Sequence, residues 1–467
     1  MIMKHEKVIF RLAWFFILIF LSMVVYLVKF TLVDSQTMVM HPANGRFGQM
    51  EEAVIRGTIY DAEGHILAQE KEGVRVYPYD ELYAHTVGYS NMGKYGIEAQ
   101  TDSELLRVVN PVKSLFEVIR GQEKLKGHDV VLTLNHTVQQ AVAEAFGTQK
   151  GAAVVLEPTT GKILAMYANP TFNPNTLSQD WESLVRDTEE SPLLNRATQG
   201  LYPPASVFKM ITTLSFLEQI PEDSWDALSY NCTGEITHQN HTIHCYNGVA
   251  HGQINLKQAF SQSCNTFFIH LNKQVSPEML AKTAKRLLFE MPLPVSFPYS
   301  QSRLGTLETL KQGSIESYAN YIGQGQILVS PLHMAMVASI IYNDGVLMEP
   351  YMVDYSIDDK GKERMKNLPT YNDVYLNTTQ QRYLKSLMIG VVAEGTGQRL
   401  AKQGLRIGVK TGTAENETNE DHSWVVGFAE SINGNHTPIS FAVIVEQGGA
   451  KAAALDVVEK LFVAHFD

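Results

Sequence analysis

The sequence predicts an α+β catalytic domain held behind one membrane-spanning helix, with a small mixed α/β module between the two. Three observations carry this reading. Residues 12–28 (LAWFFILIFLSMVVYLV) are uncharged and overwhelmingly apolar, near the short end of what crosses a bilayer. The last third of the chain places β-rich apolar runs before a closing helical pattern. Between them an apolar helical stretch carries a serine and a lysine at helical spacing. At 467 residues the chain is too long for one ordinary domain. Its 45% hydrophobic and 19% charged composition is that of a folded protein. A net charge of −11, with no basic block beyond the extreme N-terminus, argues against a nucleic-acid-binding surface.

Residues 1–11 form a short basic tail in which Lys4, Lys7 and Arg11 precede the apolar run. The positive-inside rule leaves that tail in the cytoplasm and places the remainder outside. A cleaved signal peptide is the alternative, but no A-x-A site follows Val28. Residues 29–126 read as a polar stalk to about residue 50, then a non-catalytic pedestal. In the pedestal RGTIYD leads through AEGHILAQ as strand, glycine turn and strand, and SELLRVV and VKSLFEVI have helical patterns. The catalytic domain is expected over 127–467. HDVVLTLN reads as a strand, HTVQQAVAEAFG as a helix closed by Gly147, and AAVVLEPTTGKILAMYA as two strands about a turn. Pro203 and Pro204 stand before a helix that begins near Ser206 and should be buried over 207–218. Ser330-Pro331 is an N-cap and first turn, with Gly345 at the far end. Strands follow around 410–413, 423–429 and 439–446, and a helix over 451–466 closes the chain.

Ser206 and Lys209 form the only Ser-x-x-Lys in the sequence. On a helix this puts a hydroxyl and an amine one turn apart on one face. A lysine kept neutral by its surroundings can take the proton from such a serine, which then acts as a nucleophile. Alone the pattern is expected about once by chance in a chain of this size. Ser263-Cys264-Asn265 and then Lys410-Thr411-Gly412-Thr413 follow in the order a serine acyltransferase of this type requires. Of the three cysteines, Cys232 and Cys245 are close enough in sequence to pair in an oxidising compartment, and Cys264 reads as a small buried side chain. His238, His241 and His244 have no standard ligand spacing and read as solvated loop residues, so no metal is expected.

With these motifs, and with the flanks NRATQGLYPPASVFK, HGQINLKQAFSQSCN, VKTGTAE and HSWVVGFA, the chain resembles the penicillin-binding and serine β-lactamase group over almost its whole length. Within it, the chain resembles the class B penicillin-binding proteins of the penicillin-binding protein A type. The resemblance implies an antiparallel sheet flanked by helices plus a helical subdomain, and a peptidoglycan D,D-transpeptidase activity. It implies Ser206 as nucleophile, Lys209 as general base and Ser263 in the proton relay to the leaving amine. Asn265 would hold the substrate amide, with Lys410, Thr411 and Thr413 around the substrate carboxylate. Gly412 would leave the strand bare for a backbone-aligned substrate. Backbone N–H groups of Ser206 and Thr413 would form the oxyanion hole.

The implied substrates are stem peptides ending in D-Ala-D-Ala, with β-lactam antibiotics as mimics and no cofactor. The resemblance also implies a partner, a polytopic membrane glycosyltransferase, and no glycan-polymerising segment is visible in the chain. Among competing activities, a class A β-lactamase needs a Glu-x-x-Leu-Asn segment after the second motif. The nearest string here, from Glu190 to Asn195, has the wrong spacing and precedes Ser206. A D,D-carboxypeptidase shares every motif and differs only in its acceptor. A non-catalytic β-lactam sensor or wall-synthesis scaffold would carry more membrane helices or a lost motif residue.

Overall fold

The computed structural model describes residues 2–29, 54–107, 125–238, 241–311, 314–415 and 420–467. Beyond Lys29 the expected stalk, and also the helical pattern at 112–119, lie outside the described residues. The first helix runs Ile2–Lys29. Its stretch Phe10–Leu27 is long and apolar enough to cross a membrane and has no protein packed over it.

The catalytic body is built on a five-stranded sheet in the order Leu405–Ala414, His422–Ser431, Ile439–Val445, Gly151–Leu156 and Ile163–Asn169, with every neighbour antiparallel. All seven residues of Ile439–Val445 are buried, as expected of a strand covered on both faces. Helices His136–Phe146 and Ala453–Phe466 pack together and against this sheet, and Pro331–Tyr342 packs on it as well. Pro331–Tyr342 is apolar around its whole circumference and buried from Pro331 to Ile341, so it is a core helix. Ser330 caps it by accepting from the His333 N–H, with Pro331 in the first turn. Asn135 caps His136–Phe146 in the same way, and Gly147 ends it with φ +52°.

The pedestal does not end where the chain reads as changing unit. A six-stranded sheet runs Glu363–Lys366, Val353–Ile357, Asp129–Leu132, Ile59–Tyr60, Ile66–Lys71 and Val74–Val76. Its two central strands, Asp129–Leu132 and Ile59–Tyr60, are parallel and fall on opposite sides of the expected 126/127 division. The reason is pairing demand: Asp129–Leu132 is short and apolar and must hydrogen-bond on both edges to be buried. Gly57 permits the close approach, since a Cβ there would stand 1.8 Å from the His128 carbonyl oxygen.

A buried ionic cluster holds the pedestal side. The Arg56 guanidinium donates Nε–H to Glu98 Oε2 at 2.7 Å and Nη2–H to the Glu98 carbonyl at 2.7 Å, and it also contacts Asp102. Arg75 Nε holds the other carboxylate oxygen of Glu98 at 2.6 Å. Removing one member strands a buried charge, which costs about 3–5 kcal/mol. Arg56→Met is therefore expected to lower the unfolding free energy by about that much, read from denaturant midpoints. A Glu98→Gln, Arg56→Met double variant should recover part of the loss.

Candidate active site

Ser206 stands in a 3-10 turn, Ala205–Phe208, that runs directly into the helix Lys209–Gln219. Every residue of that helix from Lys209 to Leu217 is buried, as its apolar sequence requires. The turn is held from three sides. Ala205, at φ +49°, donates its N–H to the Gly323 carbonyl at 2.7 Å. Fully buried Trp424 donates its indole N–H to the Pro203 carbonyl at 3.0 Å. A Cβ on Gly323, itself at φ +80°, would stand 2.0 Å from the Ala205 carbonyl oxygen. Gly323→Ala must therefore move the serine turn. It is expected to cost more than about 1 kcal/mol of stability, visible in a thermal melt, and to slow acylation of Ser206 as well.

The second motif has a local explanation. Helix Leu256–Ser261 ends with Ser263 at φ +56°, while Ser263 N–H bonds the Phe260 carbonyl at 3.3 Å and Cys264 N–H bonds that of Ala259 at 2.9 Å. This is the paired 6→1 and 5→2 pattern that closes a helix on a left-handed residue, a place usually taken by glycine. Cys264 then caps the next helix, Asn265–Leu271, its Sγ accepting from Phe267 N–H. Ser263 thus sits at a sharp joint between two helices, with its hydroxyl turned into the cleft. A serine held in a conformation costing roughly 1–2 kcal/mol is strain kept at a functional position.

The three motifs meet in one place. Lys209 Nζ donates to the Ser263 carbonyl at 2.8 Å and to Asn265 Oδ1 at 2.7 Å, and stands 3.3 Å from Ser263 Oγ. Lys410 Nζ reaches the same Ser263 Oγ at 2.9 Å and the Thr411 carbonyl at 3.0 Å. Ser206, Ser263, Asn265, Thr411, Gly412 and Thr413 all line a cleft of about 770 Å³. Both lysines are fully buried. Burial pulls the Lys209 ammonium down to about 7, against the opposing effect of the Cys264 and Cys245 thiols. Lys410 is pushed well below its usual range by burial and then by the nearness of Lys209.

Removal from water, and not like-charge repulsion from Lys410, is what keeps Lys209 deprotonated. The hydrogen bonds orient the amine. The Ser263 carbonyl and Asn265 Oδ1 can only accept, so they use both N–H groups of a neutral amine. The remaining lone pair is left for a hydroxyl.

Two further residues make contacts that the motifs do not show. Gly412 lines the cleft and also packs against the serine turn: its missing Cβ would lie 3.2 Å from the Pro204 carbonyl oxygen and 3.3 Å from both Trp424 Cβ and Val207 Cγ1. Its smallness lets the strand press against the nucleophile. Asn265 Nδ2 donates to the His244 carbonyl at 2.9 Å, so both ends of this amide are engaged within the protein. Its oxygen is thereby held against Lys209 Nζ. Thr396, not singled out by any sequence motif, shares a 2.6 Å hydrogen bond with Thr411 Oγ1 and also lines the cleft. His422 accepts from the Gln447 N–H and packs edge-on to Tyr202, at the start of an inner strand of the sheet.

The cysteines are free and buried. Cys232 and Cys245 are 3.7 Å apart at sulfur and not bonded. His238 and His241 face each other across a hairpin and His244 lies beside Glu235, so these three histidines do not converge. The imidazole that does meet sulfur is His251, with Nδ1 3.3 Å from Cys232 Sγ. Cys232, Cys245, His251 and Cys264 together form a group able to hold a metal ion. Sequence reading missed it because its ligands come from four segments.

The family model described as penicillin binding protein transpeptidase domain matches residues 151–466. The peptidoglycan D,D-transpeptidase PbpA of Mycolicibacterium smegmatis is 31% identical over 406 residues, covering 82% of this chain and 80% of that protein. The peptidoglycan D,D-transpeptidase MrdA of Acinetobacter baumannii is 26% identical over 450 residues, covering 84% of this chain and 66% of its own length. Among solved structures, penicillin-binding protein A from M. tuberculosis, as its imipenem acyl-enzyme complex, superposes with a TM-score of 0.79 at 28% identity. The match covers 89% of this chain and 99% of that one.

Proposed function

The chain belongs to the class B penicillin-binding proteins, and from that premise we propose that Ser206, Lys209 and Ser263 carry its chemistry. It is a serine-type peptidoglycan D,D-transpeptidase. The observation that supports the residue assignment is the single Ser263 hydroxyl shared by two buried lysines in the cleft that Ser206 lines.

Ser206 Oγ attacks the carbonyl carbon of the penultimate D-alanine of a donor stem peptide as its proton passes to neutral Lys209. The peptide C–N bond breaks, and the leaving D-alanine amine takes a proton relayed through Ser263. An amine of a second stem peptide then attacks the Ser206 ester and forms the cross-link. The proton it loses returns to Ser206 Oγ. Ser206 and Thr413 N–H groups stabilise the oxyanion in both steps, an effect of a few kcal/mol. Lys410, Thr411 and Thr413 receive the donor carboxylate. β-Lactams present the same carbonyl and form a persistent ester on Ser206. Solved acyl-enzyme complexes of penicillin-binding protein A with imipenem and ceftriaxone support this.

Among the described residues the carboxylates lining the cleft are Glu415 and Asp421. Glu190 instead pairs with Lys150 at 2.7 Å and does not line it. That favours transfer to an amine over hydrolysis. The basic tail before Phe10–Leu27 supports a single-pass anchor with the catalytic domain outside the cytoplasmic membrane. The pedestal is the natural contact surface for a polytopic membrane glycosyltransferase.

The test is product analysis with a stem pentapeptide donor, with and without an acceptor amine. Cross-linked peptide that appears only with acceptor, matched by D-alanine release, is expected. Hydrolysed tetrapeptide alone would instead identify a carboxypeptidase, and rapid loss of a penicillin label would identify a β-lactamase.

A further inference from the structure

Between the helix Thr378–Glu394 and the strand Leu405–Ala414 the chain passes through Gly395-Thr396-Gly397, a segment wedged between the second and third motifs. Thr396 N–H donates to the carbonyl of Ser261, two residues ahead of Ser263, at 3.1 Å. A Cβ on Gly395 would stand 2.2 Å from that same Ser261 oxygen. One on Gly397 would stand 2.8 Å from Cγ2 of Val409, the residue before Lys410. Bare backbone on either side of the threonine lets the segment press on both motifs at once. Thr396 is thereby delivered to the cleft as an exposed residue, its Oγ1 2.6 Å from Thr411 Oγ1.

A single proton lies along that 2.6 Å line, and either hydroxyl can supply it. A bound carboxylate settles the direction. It can only accept, so a Thr411 hydroxyl that meets the substrate carboxylate must point its proton there. The Thr411 lone pair then receives the Thr396 proton. The two hydroxyls form a chain that runs one way, from Thr396 through Thr411 to the carboxylate, and each link polarises the next. Without the Thr396 hydroxyl the Thr411 rotor is free, and binding a carboxylate has to order it.

We propose that Thr396 is a positioning residue for the donor carboxylate. By holding the Thr411 hydroxyl in its donating direction, it sets a preference for peptides and β-lactams that carry a free carboxylate. This role rests on the transpeptidase reading, which puts that carboxylate at Lys410, Thr411 and Thr413. The effect falls on binding more than on the chemical step, because the carboxylate is present in ground state and transition state alike.

The experiment compares acylation of the full chain in detergent by penicillin G and by its methyl ester, which lacks the anionic group. Stopped-flow traces over a range of ligand concentrations separate the binding constant from the limiting rate. Thr396→Val keeps the branched shape and removes the hydroxyl. It is expected to weaken penicillin G binding roughly 3- to 10-fold, the worth of one neutral hydrogen bond, with the limiting rate held within about twofold. The ester should react with this variant as with wild type, so the preference for acid over ester shrinks by the same factor. Thr396→Ser keeps the hydroxyl and should restore wild-type binding. Thr411→Val should lose at least as much as Thr396→Val, and combining the two should add no further loss. Because Thr396 is exposed, the valine variant should melt within about two degrees of wild type.

An equal loss for acid and ester, or a serine variant as weak as the valine one, would overturn the proposal. So would losses that multiply in the double variant, since Thr396 would then act on the ligand without Thr411. A wild type that reacts equally well with acid and ester would sink this role alone. A wild type that neither ligand acylates would sink the transpeptidase reading, and this role with it.

Discussion

Ser206→Ala is expected to abolish labelling by a fluorescent penicillin while leaving the melting temperature within about a degree of wild type. The side chain lost is only partly buried, sits in the cleft and makes no packing contact that the fold requires. Surface changes of this kind stay within about 0.5 kcal/mol. The effect on chemistry is of another order. Among the described residues no other hydroxyl lines the cleft at the start of a helix one turn along it from a buried lysine, so none of them can take over as nucleophile. Loss of a nucleophile in a serine acyl enzyme costs about a millionfold in turnover. Covalent labelling followed by denaturing electrophoresis reads this directly. A band of wild-type intensity in the alanine variant would remove Ser206 from the mechanism.

The second large effect belongs to Lys209. Its ammonium titrates near 7, because burial disfavours the charged form. The base is the neutral amine, so acylation should rise as pH increases through about 7 and then level off. Below that value the lone pair is protonated and the rate falls about tenfold per pH unit. Lys209→Arg should lose about 10²- to 10⁴-fold at every pH, since a guanidinium keeps its proton and offers no lone pair. Stopped-flow acylation between pH 5.5 and 9 separates these outcomes. A flat wild-type profile, or an arginine variant of normal rate, would assign the base to another group. Lys410 is the first candidate, because it shares Ser263 Oγ.

Much of this machinery is legible in the sequence because local rules govern it. Ser330-Pro331 writes a helix start that the His333 N–H confirms. The apolar run 207–218 marks a helix with no solvent face, and the apolar runs of the last third mark the strands that carry Lys410 and Trp424. Other features depend on what meets across space. Gly412 reads as a bare strand position, and only the approach of Pro204 and Val207 reveals what its smallness serves. Thr396 belongs to no motif, yet it bonds Thr411, and only the folded chain shows that Gly323 seats the serine turn. The left-handed turn at Ser263 is hidden because serine, unlike glycine, does not announce a positive φ. The cysteines and His251 have no recognisable spacing, because their segments are brought together by the fold.

The interleaved pedestal sheet has a consequence for exchanging parts between relatives. Strands Val353–Ile357 and Glu363–Lys366, far along the chain, complete a layer begun by Ile59–Tyr60 and Ile66–Lys71. A chimera joined at residue 127 would therefore inherit half of a sheet from each parent, with unmatched edges meeting at Asp129–Leu132. A graft that carries residues 129–132 and 353–366 along with the N-terminal segment keeps the layer whole. The pedestal is, in this sense, a single heritable part written in two separate passages of the chain.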